Sequence, residues 1–427
     1  MSAKQYTLIA LTSVTSGCLL PEEREGNILK TVIRHQSGTE TPISTGDRFN
    51  GSAIAPRGLG TQSTIFNTLL NAKEIKSGLQ GLVGAYGIQT FKAPYKTYEG
   101  ATVLGAKVGG TGGSCNNAFP VFFNGTTHAR ERGSMDSVLY FISGLLYANK
   151  NSIGLTYGSK TYTNTQVKTA LSAGIVFIPL SNPDGVAYDQ LTHSCWRKNH
   201  NHGSGQSVGV DLNRNFDFLW DFCNLFVSSV QSSVASTSPS SEAYHGTSVF
   251  SELETKNIKW LFDTYSKIRW FVDLHYDENQ SEWPYMRFLN DSYSSVRGLL
   301  SDTPGSGRGY GEYTPKVELN ANLAAAQRIT SAMTAGGGRA YTAIQAAALY
   351  PTSGASDDYA YSRHFADPSK NLVHAYTVEF GFGNSVASYP FYPSVSQYNS
   401  NLKATSAGFM EFLLSAVELG LGDVPTC

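Results

Sequence analysis

Charge is scarce in this chain. Asp, Glu, Lys and Arg make up 15% of its 427 residues, against roughly 25% in ordinary globular domains. The two signs nearly cancel, leaving −1, so nothing in the charge suggests nucleic acid or a charged membrane surface as a partner. No run approaches the ~20 apolar residues of a membrane-crossing helix. The best leader candidate, TLIALTSVTSGCLL (7–20), follows Lys4 but is interrupted by Thr and Ser. Its TSGC puts Thr15 where a lipoprotein cleavage box wants an aliphatic residue. Cysteine is sparse too. Cys18, Cys115, Cys195, Cys223 and Cys427 form no C-x-x-C pattern, which argues against a thiolate metal site or a redox pair. One or two disulfides would suit an oxidising compartment and leave a thiol over. Cys195 and Cys223 are the nearest plausible pair. Ser, Thr, Asn, 24 Tyr and 42 Gly take the place of charge, a composition that fits a secreted protein better than a cytosolic one.

Apolar runs alternate with amphipathic ones. STIFNTLLNAKEIKSGLQGL, within 62–82, reads as one or two short helices. VFFNG (121–125) reads as a buried strand, and SMDSVLYFISGLLYANK (134–150) as a helix with Leu139, Ile142, Leu145 and Leu146 on one face. GIVFIPLSNPDG (174–185), IRWFVDLHYD (268–277) and AYTVEFGFG (375–383) read as further strands, and SAGFMEFLLSAVELG (406–420) as a closing helix with a glycine stop. Alternating strands and helices predict an α/β fold with a mostly parallel sheet covered on both faces. Residues 1–60 read as a loop-rich extension that joins one catalytic-sized domain, 61–427, through the turn-dense segment 42–60. GSGQSVGV (203–210) and VSSVQSSVASTSPSS (227–241) read as surface excursions.

Four ionisable side chains crowd into HARER, 128–132. A catalytic zinc takes three protein ligands and keeps one position open for water. His128 and Glu131, three apart just after a strand, can face one ion, and His275 in VDLHYD can supply the third ligand from another strand end. An H-x-x-E pair is common by chance. His35, His193, His200, His202, His364 and His374 have no partner pattern in the sequence.

Taken together, seven ordered motifs resemble the zinc metallocarboxypeptidases of the A/B branch. They are YKTYEG (95–100), HARE (128–131), LSNPDGVAY (180–188), CWRKN (195–199), GVDLNRNF (209–216), DLHYDENQSEWPY (273–285) and the pair LYPTSGASDDYAY (349–361) with YTVEF (376–380). The resemblance runs from about Phe66 to Leu419. It implies a three-layer α/β/α fold around a mixed, mostly parallel eight-stranded sheet, in a monomeric chain with one Zn2+. It also implies hydrolysis of the last peptide bond of peptide or protein C-termini. The ligands would be His128, Glu131 and His275. Glu379 would be the general base toward the water that zinc activates. Arg197 would stabilise the oxyanion. Asn213 and Arg214 would hold the terminal carboxylate, Tyr350 would close over the substrate, and Arg130 would contact residues further up the peptide. Asp211 would orient His128. Arg132 is left as a surface charge.

Seven residues past Tyr350, Asp357 takes the pocket-floor position and resembles the B-type enzymes, which remove Lys and Arg. Asp273, two before His275 on the same strand, faces the same way and would add a second carboxylate. A C-terminal Lys/Arg preference follows, with Gln345 and Thr352 leaving room for a mixed one. The chain departs from the family at several points. Ser207 and Ser240 stand where a disulfide is expected, which suggests Cys195–Cys223 as the substitute, and Asp277 replaces a tyrosine. Residues 1–60 are too short for the globular pro-domain of about 90 residues implied by the resemblance. Asn50, Asn124 and Asn290 are glycosylation sequons, with Asn124 disfavoured beside the zinc motif. Two rival functions are a cell-wall carboxypeptidase acting on diaminopimelate-ended peptides and an inactive binding module on the same fold.

Overall fold

The computed structural model describes residues 39–110, 118–204, 208–226, 228–276, 285–288, 316–346, 350, 352–381 and 383–421. Its strands are β1 (Gln89–Lys96), β2 (Thr102–Val108), β3 (Val121–Gly125), β4 (Leu155–Tyr157), β5 (Lys160–Tyr162), β6 (Ile175–Ile178), β7 (Trp270–Tyr276), β8 (Tyr285–Phe288), β9 (Thr342–Gln345) and β10 (His374–Phe380). The helices longer than two turns are α1 (Ala72–Tyr86), α2 (Ser134–Lys150), α3 (Asn164–Ser172), α4 (Pro183–Thr192), α5 (Leu253–Thr264), α6 (Lys316–Gly337), α7 (Ser356–Ala366) and α8 (Val395–Leu419).

Six strands in the order β1-β2-β6-β3-β7-β10 form the body of a mixed sheet, and the short β8 and β9 extend its far edge. β6, β3, β7 and β10 run parallel. β1 and β2 pair antiparallel with each other, and β2 with β6. β4 and β5 make a separate hairpin. The four parallel strands are buried along their whole length, as expected for strands covered on both faces. Adjacent residues of β3 show the two layers. Phe122 packs against Phe262 of α5, while Phe123 packs against Phe141 of α2 and Phe409 and Phe412 of α8. The expected α/β layering is therefore present.

After β3 the chain crosses to β6 on one side, and β7 adds on the other side. The sheet thus reverses direction of winding between β3 and β7, and ligands bind at the carboxyl ends of strands beside such a switch point. One boundary differs from expectation. The closing helix begins at Val395, not near Ser406, because Ser394 and Gln397 form a reciprocal capping box and Tyr398 and Leu402 bury on the same face. The polar run VSQYNSN hides that start from a reading of apolar spacing.

The described end of the extension, residues 39–60, packs on the domain. Thr41 N–H donates to Pro393 O at 2.7 Å. Arg48 binds Glu74 Oε1 at 2.8 Å and Thr68 Oγ1 at 2.7 Å, and Phe49 joins the core. The excursion around 227–241 is also anchored: Val234 and Ala235 are buried, and Lys198 Nζ donates to Pro239 O and Ser241 O. Asn124 is buried and donates to Asp273, which removes it as a glycan acceptor. Among the described residues no helix is long and apolar enough to cross a membrane.

Candidate active site

The HARE segment begins where β3 ends. Thr126 sits at φ 62°, a left-handed conformation costly for a β-branched residue. Its N–H is held by Ser134 Oγ at 2.9 Å and its hydroxyl donates to Pro179 O at 3.2 Å. This bend turns the chain back so that His128 and Glu131 meet the end of β7, where His275 emerges. One donor atom from each of the three residues lies within 4.8 Å of the others. His128 Nδ1 is 2.6 Å from Glu131 Oε1 and 3.1 Å from His275 Nδ1, and Glu131 Oε2 is 3.2 Å from His275 Nδ1. All three side chains are buried.

The donor set fits zinc. Two imidazoles and a carboxylate match a catalytic zinc site, and the buried Glu131 Oε2 faces no donor closer than His275 Nδ1 at 3.2 Å, itself a candidate ligand atom. Each histidine offers Nδ1 to the centre and turns Nε2 to a carboxylate: His128 Nε2 to Asp211 Oδ1 at 3.0 Å, His275 Nε2 to Asp273 Oδ2 at 3.3 Å. Such outer carboxylates fix the tautomer and the ring plane of metal-binding histidines. The electrostatics agree. Burial opposes charge on Glu131, but His128 and His275 outweigh it and hold the carboxyl below its usual range. Burial likewise opposes charge on His275, yet Glu131 and Asp273 raise the ring well above the imidazole range. The centre is a place that favours positive charge.

Asp211 is the hub beside this centre. Besides His128, it accepts from Arg197 Nε and Nη2 at 3.1 and 3.0 Å and from Asn213 N–H at 3.0 Å. Burial would raise its carboxyl, but Arg197 and His128 bring it well below the usual range. Asn213 Oδ1 accepts from Ser356 N–H at 2.8 Å, which joins this loop to the start of α7. Arg214 is almost fully buried. Its Nη1 donates to Asn213 O, while Nε and Nη2 have no hydrogen-bond partner. A buried guanidinium left this way is expensive unless an anion completes it. Glu379 lies in β10 directly opposite His275 of β7, and parallel register puts both side chains on the same face. Arg130 packs under Phe391, 4.3 Å from the ring centre, and reaches Glu242 at 3.4 Å. Asp357 is buried in the first turn of α7, and Tyr350 is half-buried.

Three expectations change. Asp273 does face the same side as His275, but it is not a spare pocket acid. It accepts from Asn124 Nδ2 at 2.8 Å, Thr127 Oγ1 at 3.1 Å and Ser356 Oγ at 2.6 Å, besides its contact with His275. Its charge is thus fully committed inside the protein. Arg132 is not a surface charge. It is buried over the Tyr392 ring and donates to Asp189 Oδ2 at 3.0 Å. Cys195 and Cys223 do not bridge: both are free thiols, the first buried and the second exposed. Cys18, Cys115, Cys427, Ser207, Asp277, Asn290, the DENQSEWP part of its motif and the side chain of Gln345 lie outside the described residues.

Sequence reading missed the residues that hold the site loops together. Asp189 Oδ1 accepts from Trp196 N–H and Tyr392 O–H, and the Tyr392 oxygen in turn accepts from Cys195 N–H. Asn182 caps α4 and donates to Thr127 O and Lys198 O, bridging the HARE and WRKN segments. The NPDG motif carried a signal for Asn182. Nothing in the sequence marked Asp189 or Tyr392, whose partners are far apart along the chain.

The zinc carboxypeptidase profile (Peptidase_M14) matches residues 79–408. The chain is 30% identical to zinc carboxypeptidase A 1 of Drosophila melanogaster over 278 residues, covering 64% of this chain and 54% of that protein. It is 29% identical to carboxypeptidase B of Bos taurus over 272 residues, covering 62% and 53%. The match thus spans about half the length of these curated relatives. The crystal structure of thrombin activatable fibrinolysis inhibitor superposes with a TM-score of 0.62 at 21% identity, over 82% of this chain and 75% of that one. Carboxypeptidase A from Helicoverpa armigera gives 0.60 at 20%, over 82% and 74%. These solved structures support the fold. With the profile covering most of the chain and a His2Glu centre at the switch point of the sheet, the chain belongs to the zinc carboxypeptidase family.

Proposed function

We propose that the chain is a zinc-dependent exopeptidase that hydrolyses the C-terminal peptide bond and prefers C-terminal Lys or Arg. The observation that carries the exopeptidase reading is Arg214: a buried guanidinium with two unpartnered nitrogens, beside Asn213 and one loop from the zinc ligands. A planar donor pair of this kind recognises a carboxylate, and in a peptide only the chain end supplies one on the main chain.

His128, Glu131 and His275 hold the zinc, which when bound supplies a Lewis acid for the carbonyl and lowers the pKa of water. Glu379 takes the proton of the attacking water and returns it to the leaving amine. Arg197, oriented by Asp211, balances the negative charge that develops on the carbonyl oxygen. Asp211 and Asp273 keep the two imidazoles in the orientation that presents Nδ1. Arg130, packed on Phe391, is assigned to residues further up the peptide, and Tyr350 to closing over the bound end.

Specificity rests on Asp357. Asp273 is occupied by internal donors, so the preference is assigned to Asp357, buried in the first turn of α7, and not to a pair of acids. A secreted location agrees with the uncharged polar composition. A peptide panel identical except at the last residue tests the reading. Lys and Arg should give the highest kcat/KM, and C-terminal amidation should abolish cleavage. Arg214→Ala should lower kcat/KM by more than about 100-fold, the scale of losing a charged contact in a dry site. A higher value for Phe, or cleavage of the amidated peptide, would refute it.

A further inference from the structure

We propose a second metal site, separate from the catalytic centre, formed by Glu99, His200 and His202 and selective for divalent transition metals of the zinc and copper class. His200 and His202 have no signal in sequence, because their partner Glu99 lies about a hundred residues earlier. In the fold, His200 Nδ1 contacts Glu99 Oε1. His202 Nε2 lies 3.3 Å from His200 Nδ1 and 3.7 Å from Glu99 Oε1. Donors placed tetrahedrally at zinc distances of about 2.0–2.2 Å would be about 3.3–3.6 Å apart, close to the two longer separations here. Two imidazoles and one carboxylate suit zinc, copper or nickel and not calcium or magnesium, which want oxygen.

The cluster is held from behind. The turn carrying Glu99 is fixed on α4: Glu99 N–H donates to Asp184 Oδ2 at 2.9 Å and Thr97 Oγ1 to Asp184 Oδ1 at 2.8 Å. The His200 ring stacks on Tyr188 of α4 at 4.2 Å and meets Trp196 edge-on at 5.8 Å. Exposure then grades outward. The His200 side chain is 11% exposed, while Glu99 and His202 are 43% and 47% exposed. An ion arriving from solvent therefore meets two adjustable donors and one fixed donor, with room for water as the remaining ligand.

Its consequence is structural. Glu99 follows β1, whereas His200 and His202 follow Arg197 in the segment that Asn182 and Asp189 anchor. A metal bridging the two would tie that segment to the end of β1 and stiffen the base under Arg197. It would take no part in bond cleavage.

Metal content separates this site from the catalytic one. After dialysis against buffered micromolar zinc, elemental analysis should find two zinc ions per wild-type chain. His202→Ala and Glu99→Gln should each retain one and keep peptide hydrolysis. His128→Ala should also retain one but lose hydrolysis. In wild type already holding the catalytic ion, further zinc should raise Tm, and this rise should vanish in His202→Ala. One zinc per wild-type chain overturns the proposal. So does a second zinc kept by both His202→Ala and Glu99→Gln, which would mean binding elsewhere on the surface.

Discussion

At the scale of single residues, roles divide by what each buried charge has for a partner. Glu379 shares a face with His275 through strand register and is assigned the proton transfers. Glu379→Gln keeps the shape and removes the base. Its kcat should fall by about 100- to 10,000-fold with zinc content unchanged, measured by steady-state kinetics alongside elemental analysis. Asp273 is assigned to orientation of His275 and not to the substrate. Asp273→Asn should weaken zinc binding by about 10- to 100-fold, as loss of an outer carboxylate does, read by competition with a chelator. Unchanged zinc affinity together with an altered Lys/Arg preference would return Asp273 to the pocket. The ligand histidines were legible in sequence because strand ends deliver them. Asp273 was legible in direction only, because alternation along a strand gives the face but not the neighbours on that face.

At the scale of elements, the site is a junction of loops that approach closely. Gly185, at the start of α4, shows how closely: an added Cβ would lie 2.5 Å from Lys198 O and 2.7 Å from both the Oδ1 and Nδ2 of Asn182. Two of these atoms belong to the side chain that links the HARE and WRKN segments, and the third is main chain. Gly185→Ala should destabilise the fold by about 1–3 kcal/mol, the usual cost of overpacking, and should also lower kcat/KM by displacing Arg197. Thermal unfolding and kinetics measure the two effects, and a change in neither would show that the junction yields easily. The strands 121–125 and 268–277 and helix 134–150 were readable, because burial on both sides or on one face writes itself into apolar spacing. The start of α8 was not, because its first turns bury Tyr398, Asn399 and Asn401 among polar neighbours.

At the scale of the whole molecule, stability is linked to buried acids that are not part of the chemistry. Burial, with Glu252 nearby, pushes Glu254 up to about 8. One of its oxygens has no hydrogen-bond partner and the other accepts from Asn199 Nδ2 at 3.2 Å, too little to offset the burial. In the unfolded chain the same group ionises near pH 4.5. The folded state therefore holds a proton that the unfolded state has lost. This costs nothing below about pH 4.5, and stability falls as pH rises toward 8, levelling off above it. Glu254→Gln should flatten that decline, so its Tm should match wild type near pH 5 and exceed it near pH 9. Parallel pH dependence in the two proteins would show that Glu254 is not the group responsible.

The sequence by itself determined the alternation of buried strands and amphipathic helices, the identity of the three zinc donors and the family, because each rests on local spacing or on motifs that sit whole within a few residues. Only the tertiary structure decided what those donors lean on. It took Asp273 out of the pocket, put Arg132 into the interior beside Asp189 and Tyr392, separated Cys195 from Cys223, and brought Glu99 to His200 and His202. In each case the partners lie far apart along the chain, so their contact depends on how the sheet stacks its loops at one edge, and the spacing of residues carries no record of that.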